Sequence, residues 1–197
     1  MIPEATDEAH SPGRGERRLL RLEREVSFRL RAPLPQDAAR AFVQDVPGSL
    51  AYADFLAGVR LRPGDPPLLE ARLPVNAAVF GVRDVPFVSA VVPTGSGAKL
   101  TPAGPVDHDH AWAEVGGEAR VEPLDGGSRL DYALTVTVFL VMPSVERWGA
   151  QALMKMVEVT AASVLRKVGE RFPRAVELAA EAAARGAAAA ASYGAPS

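Results

Sequence analysis

Cysteine is absent from the 197 residues of this chain. Disulfides, thiolate nucleophiles and Cys-ligated zinc or iron–sulfur sites are thereby excluded, so the fold must be held by its own core. Lysine is scarce: Lys99, Lys155 and Lys167 are the whole supply, and arginine carries the rest of the 22 basic residues. Beside so much alanine, this bias reads as GC-rich coding and says little about function. Neither sign of charge dominates, with a formal net charge of -2 and a pI near 6.0. The cationic excess of a nucleic-acid-binding domain is missing, and no nucleic-acid partner is expected. Long apolar runs are missing too. The longest, "ALTVTVFLVM" (Ala133 to Met142), is about half the ~20 residues a membrane helix needs, and its β-branched residues favour a strand. The N-terminal "MIPEATDEAHSPGRGERR" has no apolar segment of signal-peptide type. The expectation is a cytoplasmic protein without a membrane span.

What is present is globular: 48% of residues are hydrophobic and 23% charged, enough to bury a real core in one domain with tails. Residues 1–17 are polar and punctuated by Pro3, Pro12, Gly13 and Gly15, which predicts a disordered lead that also takes in His10. A single domain is expected over 18–175. An alanine-rich helical extension that frays at its end is expected over 176–197.

Inside the domain the apolar period changes in an informative order. Leu20, Leu22, Val26, Phe28 and Leu30 alternate with charged residues and predict a half-buried first strand. Pro35 suits a first helical turn, and Ala38, Ala39, Phe42 and Val43 give a helical stripe that "DVPGS" stops. A second helical turn is expected around Leu50 to Phe55. Six strand-like stretches follow: "FLAGVRLR", "PPLLEARLPVNAAVFGV", "VPFVSAVVP", "GSGAKLTP", "HDHAWAEVGGEARVEPL" and "SRLDYALTVTVFLVMP". Arg83-Asp84 are read as the break between the second and third, and "DGG" as a hairpin turn between the last two. Beyond Pro143 the pattern turns helical to about Phe172, with Leu153, Val157, Thr160, Val164 and Val168 at three- and four-residue steps. Pro173 should kink or break that helix. Short turns between consecutive strands imply an antiparallel sheet, and only the last helix, ~28 residues and ~42 Å long, can cover one of its faces.

This succession resembles the helix-grip fold of the START/SRPBCC superfamily, which includes birch-pollen-type allergens and polyketide cyclases. Three stretches carry the resemblance: "REVSFRLRAPLPQDAARAFVQDVPGSL", "AWAEVGGEARVEPLDGGSRLDYALTVTV" and "WGAQALMKMVEVTAASVLRKVGERFP". It spans about 18 to 175 and is most similar to small bacterial single-domain members of unassigned activity. It implies an α+β fold, a seven-stranded antiparallel sheet curved around the C-terminal helix, with a cavity between them that holds an apolar molecule. It brings no universal catalytic residues and no cofactor.

The candidates for chemistry are few. In "PVDHDHAWAEV", His108 and His110 share one strand face and Asp107 and Asp109 the other. Two histidines at i and i+2 are weak metal candidates, because a third ligand and supporting groups are needed. Ala111, Ala113 and Val115 read as the inward set, which turns His108, His110, Trp112 and Glu114 outward, unless a bulge at Gly116-Gly117 reverses the parity. "PTGSGAKL" lacks the Lys-Ser/Thr pair and following helix of a phosphate loop and reads as a turn. No serine, histidine and carboxylate set is visible. The expected cavity face comprises Tyr132, Leu134 and Val136 on the last strand and Leu153, Met156, Val157, Thr160 and Val164 on the helix. Tyr132 is the first choice for a polar ligand contact; Glu70, Arg72 and Asn76 sit on a strand that edges the cavity.

Three functions remain open: a non-catalytic carrier of a small apolar ligand, a cyclase- or dehydratase-like enzyme in the same cavity, and a closed-cavity structural or assembly protein. The third acts through its surface as a homo-oligomer, with Trp112, Trp148 and the tail as contacts. The first is favoured, because an apolar lining is easy to find and a reacting constellation is not.

Overall fold

Period-two alternation becomes strand where apolar residues can share one face, and the described residues do so seven times. A computed structural model describes residues 18–77, 81–104, 110–142 and 150–193. β1 (Arg18–Ala32) leads into α1 (Gln36–Gln44) and α2 (Val46–Ser49). Then come β2 (Ala57–Arg62), β3 (Leu68–Ala77), β4 (Gly81–Thr94), β5 (Gly97–Pro102), β6 (Ala111–Leu124), β7 (Gly127–Met142) and α3 (Ala150–Tyr193). The strands form one seven-stranded sheet in the order β1-β7-β6-β5-β4-β3-β2, antiparallel at every pairing. This is an α+β helix-grip architecture, and β1 and β2 are its two edges.

Parity decides which side chains enter the core. Along β6, Ala113, Val115, Ala119 and Val121 are buried; along β7, Leu130, Tyr132, Val136 and Val138 are. The β6–β7 register runs unbroken from Ala111↔Leu140 to Leu124↔Gly127, so Gly116-Gly117 do not reverse the parity. Gly117 has a φ of +137°, and a Cβ on it would collide with the Ala133 carbonyl oxygen. Only glycine lets the two strands lie so close there.

The helices close the concave side. α1 buries Ala39, Phe42 and Val43, and α2 adds Val46. α3 lies chiefly against β1, with further contact to β3, β7, α1 and α2. Its buried residues are Ala161, Leu165, Val168, Phe172, Ala175, Val176, Ala179 and Ala180, a repeat of alternating three- and four-residue steps that keeps one stripe on the sheet.

Three expectations are corrected. The second helix is α2 itself, at Val46–Ser49 rather than 50–55. The Asp45 side chain accepts a hydrogen bond from the Gly48 N–H at 3.2 Å, so the "stop" signal caps a new turn instead of ending in loop. Arg83 and Asp84 lie within β4, opposite Val75 and Pro74; Asp84 points outward to Arg72, 3.1 Å away, which is why a polar residue fits mid-strand. α3 runs through Pro173 as one helix of 44 residues. Proline deletes one backbone hydrogen bond there, while buried side chains on both flanks hold the helix to the core. No helix among the described residues is long and apolar enough to cross a membrane.

Candidate functional site

The concave side encloses a cavity of about 80 Å³. Val26 of β1 and Leu69 and Leu73 of β3 line it, with Phe87 of β4, Val115 and Ala119 of β6, and Tyr132, Leu134 and Val136 of β7. Val43, Val46 and Leu50 close it from the α1–α2 side, and Val168 and Phe172 from α3. An apolar face on both the sheet and the helices makes the lining almost wholly hydrocarbon. Ser49 is one polar exception, and its Oγ donates to the Val46 carbonyl at 2.9 Å.

Tyr132 is a second. It is buried, and its hydroxyl has no hydrogen-bond partner among the described residues. Burial pushes its pKa far above the usual tyrosine value, because the phenolate would lose its hydration. The group is therefore a neutral donor. Its ring stacks on Phe28 at 4.9 Å and meets the edge of Phe172 at 5.8 Å. Phe172 also sets T-shaped contacts on Phe28 at 5.2 Å and Phe55 at 6.2 Å. This aromatic cluster fills the space that the sequence pattern left open, which is why the cavity is small.

Of the expected cavity residues, Tyr132, Leu134 and Val136 come together on β7. Of the helix stripe expected on the inner face, Val168 joins them and the other described members do not. Val157, Thr160 and Val164 are half-buried outside the lining, and Met156 is 48% exposed; the Leu153 side chain lies outside the described residues. The buried stripe is displaced by one position, through Ala161 and Leu165, and one residue is about 100° of helix rotation. Phe172 and Phe55 were missed. Phe172 lies four residues beyond Val168, so extending that stripe one more step would have found it. Glu70 and Arg72 face outward: Glu70 holds Arg60, with Nε at 2.7 Å, while the inward residues of β3 are Leu69, Ala71 and Leu73. The Asn76 side chain lies outside the described residues.

Residues 107–109 of the "DHDH" segment, His108 among them, lie outside the described residues, and His110 is exposed. The described residues contain no group of three metal-ligating side chains. Trp112 is on the outer face, stacked on Phe139 at 5.0 Å. "PTGSGAKL" makes the β4–β5 hairpin, with Thr94 opposite Gly97. Glu118, the other ionisable residue bordering the cavity, has outer-face parity and pairs with Arg120 at 2.6 Å.

An antiparallel sheet gripping one long C-terminal helix, with an apolar hollow between, is the helix-grip architecture. The chain belongs to the family described as "Protein of unknown function (DUF3809)", whose model matches residues 27–170. Among solved structures it is similar to the di-domain ARO/CYC StfQ from the steffimycin biosynthetic pathway. That match has 14% identity and a TM-score of 0.50, covering 85% of this chain and 53% of that one. The chain thus spans about half the length of StfQ. The Zhui aromatase/cyclase from Streptomyces sp. R1128 aligns at 16% identity over 80% of this chain and 94% of that one, with a TM-score of 0.43. Ara h 8.0201 aligns at 11% identity over 77% and 99%, with a TM-score of 0.38. At such identities the likeness concerns the fold alone. No curated protein matches the chain.

Proposed function

We propose that the protein binds a small, largely apolar molecule bearing one hydrogen-bond acceptor, held between β7 and α3, without transforming it. The observation that carries this reading is the Tyr132 hydroxyl: a buried donor without a partner among the described residues, on a side chain that lines a largely hydrocarbon hollow. An unmade buried hydrogen bond costs about 1–3 kcal/mol, and a carbonyl or ether oxygen on a ligand would recover it. Leu134 and Val136 would flank that ligand. Turnover needs a pair of titratable groups inside the cavity. Tyr132 is held neutral and Glu118 is engaged by Arg120 on the outer side, which favours binding over catalysis.

Pockets for drug-sized ligands run to roughly 300–1,000 Å³. A ligand of that size would have to displace Phe172. The small volume therefore favours a second reading, a closed core in a protein that acts through its surface.

Native mass spectrometry of the purified full chain, followed by titration with acetophenone, separates the two. Under the first reading a small-molecule mass co-purifies or acetophenone binds, and Tyr132→Phe weakens acetophenone at least ~10-fold, the worth of one such hydrogen bond. If neither the native chain nor the widened Phe172→Ala variant holds any small molecule, the closed core stands.

A further inference from the structure

We propose that the free edge of β1 pairs antiparallel with β1 of a second copy of this chain, with Ser27 facing Ser27 across a two-fold axis. β1 is 15 residues long and, among the described residues, has β7 as its sole neighbour in the sheet, so one row of its backbone N–H and C=O groups is an open template for another strand. Edge charges usually forbid such pairing. Here they select one register. On the outer face the order is Arg21, Glu23, Glu25, Ser27, Arg29, Arg31, all exposed: two acids precede Ser27 and two bases follow it.

Turned antiparallel about Ser27, the strand sets Glu25 against Arg29 and Glu23 against Arg31, twice each by symmetry, and no like charges meet. Neighbouring registers do worse. Centring on Glu25 or Arg29 puts a charge against itself, and centring on Val26 puts Arg21 against Arg31. Centring on Phe28 leaves a single kind of opposite pair, Glu25 with Arg31. Opposite charges across an antiparallel pair stabilise it and like charges disfavour it, so the pattern specifies a register as well as permitting contact.

Two of these charges are poorly served within one copy. Arg31 sits opposite Arg129 and donates to a backbone carbonyl, that of Asp125, at 2.7 Å. Glu25 faces Thr135 and makes no ion pair among the described residues. The resulting contact is isologous, as a closed dimer requires, and joins two seven-stranded sheets into one.

The absence of cysteine makes the test clean. Residues facing each other across an antiparallel pair have Cα atoms ~4.5–5.5 Å apart, within disulfide reach. Full-length Ser27→Cys should therefore cross-link to a dimer under mild oxidation. Arg21→Cys should not, since its two copies would lie about 40 Å apart at 3.4 Å per residue. In sedimentation, Glu23→Arg/Glu25→Arg and Arg29→Glu/Arg31→Glu should each weaken self-association roughly 100-fold. An equimolar mixture of the two should restore it, with circular dichroism confirming that each variant is folded. A native chain that stays monomeric at the highest attainable concentration overturns the proposal. So does a dimer that neither charge-reversed variant dissociates, or equal cross-linking at 21 and 27.

Discussion

The two halves of α3 have similar hydrophobicity to the eye and different fates. From Val168 to Ala180 the helix buries Val168, Phe172, Ala175, Val176, Ala179 and Ala180; from Lys155 to Lys167 it buries only Ala161 and Leu165. In that first half Met156 is 48% and Val159 58% exposed. The half whose apolar residues are spread over several faces meets water more, and the half that sets Val168, Phe172, Val176 and its alanines on one stripe is anchored. Alanine lets the helix backbone approach the sheet closely, whereas Met and Val on several faces cannot all reach one surface. Apolar content therefore does not report anchoring; phase against the sheet does.

The sharpest way to break this comparison is Phe172→Ala. Removing the ring that meets Phe28, Phe55 and Tyr132 should cost about 3–5 kcal/mol of stability, as large-to-small aromatic changes in cores do, read by urea unfolding. A loss below ~1 kcal/mol would mean that the second half of α3 is not the anchor. Next comes Pro173→Ala. The proline removes one helix hydrogen bond and strains the turn behind it at a cost of ~3 kcal/mol, partly offset by the stiffer unfolded chain. The alanine variant should gain about 1–3 kcal/mol, and a loss would show that Pro173 is needed for the helix path along β1. Tyr132→Phe removes a buried hydroxyl that has no partner among the described residues, so the ligand-free protein should gain up to ~1 kcal/mol in a thermal melt. A clear loss would reveal a partner for that hydroxyl. Met156→Ser is the smallest: half-exposed and outside the cavity lining, it should move stability by less than ~0.5 kcal/mol.

Legibility followed the same division. In a strand the side-chain period is two, so a single parity choice places every residue, and Tyr132, Leu134 and Val136 could be placed on one face together. In α3 the apolar residues cover more than one stripe, and Leu153, Val157, Thr160, Val164 and Val168 form a regular alternative that meets the buried stripe of Ala161, Leu165, Val168 and Phe172 only at Val168. A one-residue shift separates them before that point. Arg83-Asp84 misled for a related reason: two polar residues suggest a turn, yet one belongs to the outer face, where Arg72 waits for it. Phe28 showed its inward parity from the start, but its stacking on Tyr132, and with it the filling of the hollow, needed residues more than 100 positions apart to be brought together.

The amino-acid order alone determined the succession of elements, the antiparallel sheet, the inner face of each long strand and the lack of thiol chemistry, because these depend on local period, short turns and composition. The rotational setting of α3, the volume left inside and the isolation of the Tyr132 hydroxyl were decided only by tertiary packing. They depend on how side chains from distant segments compete for the same space, and no local pattern records the outcome of that competition.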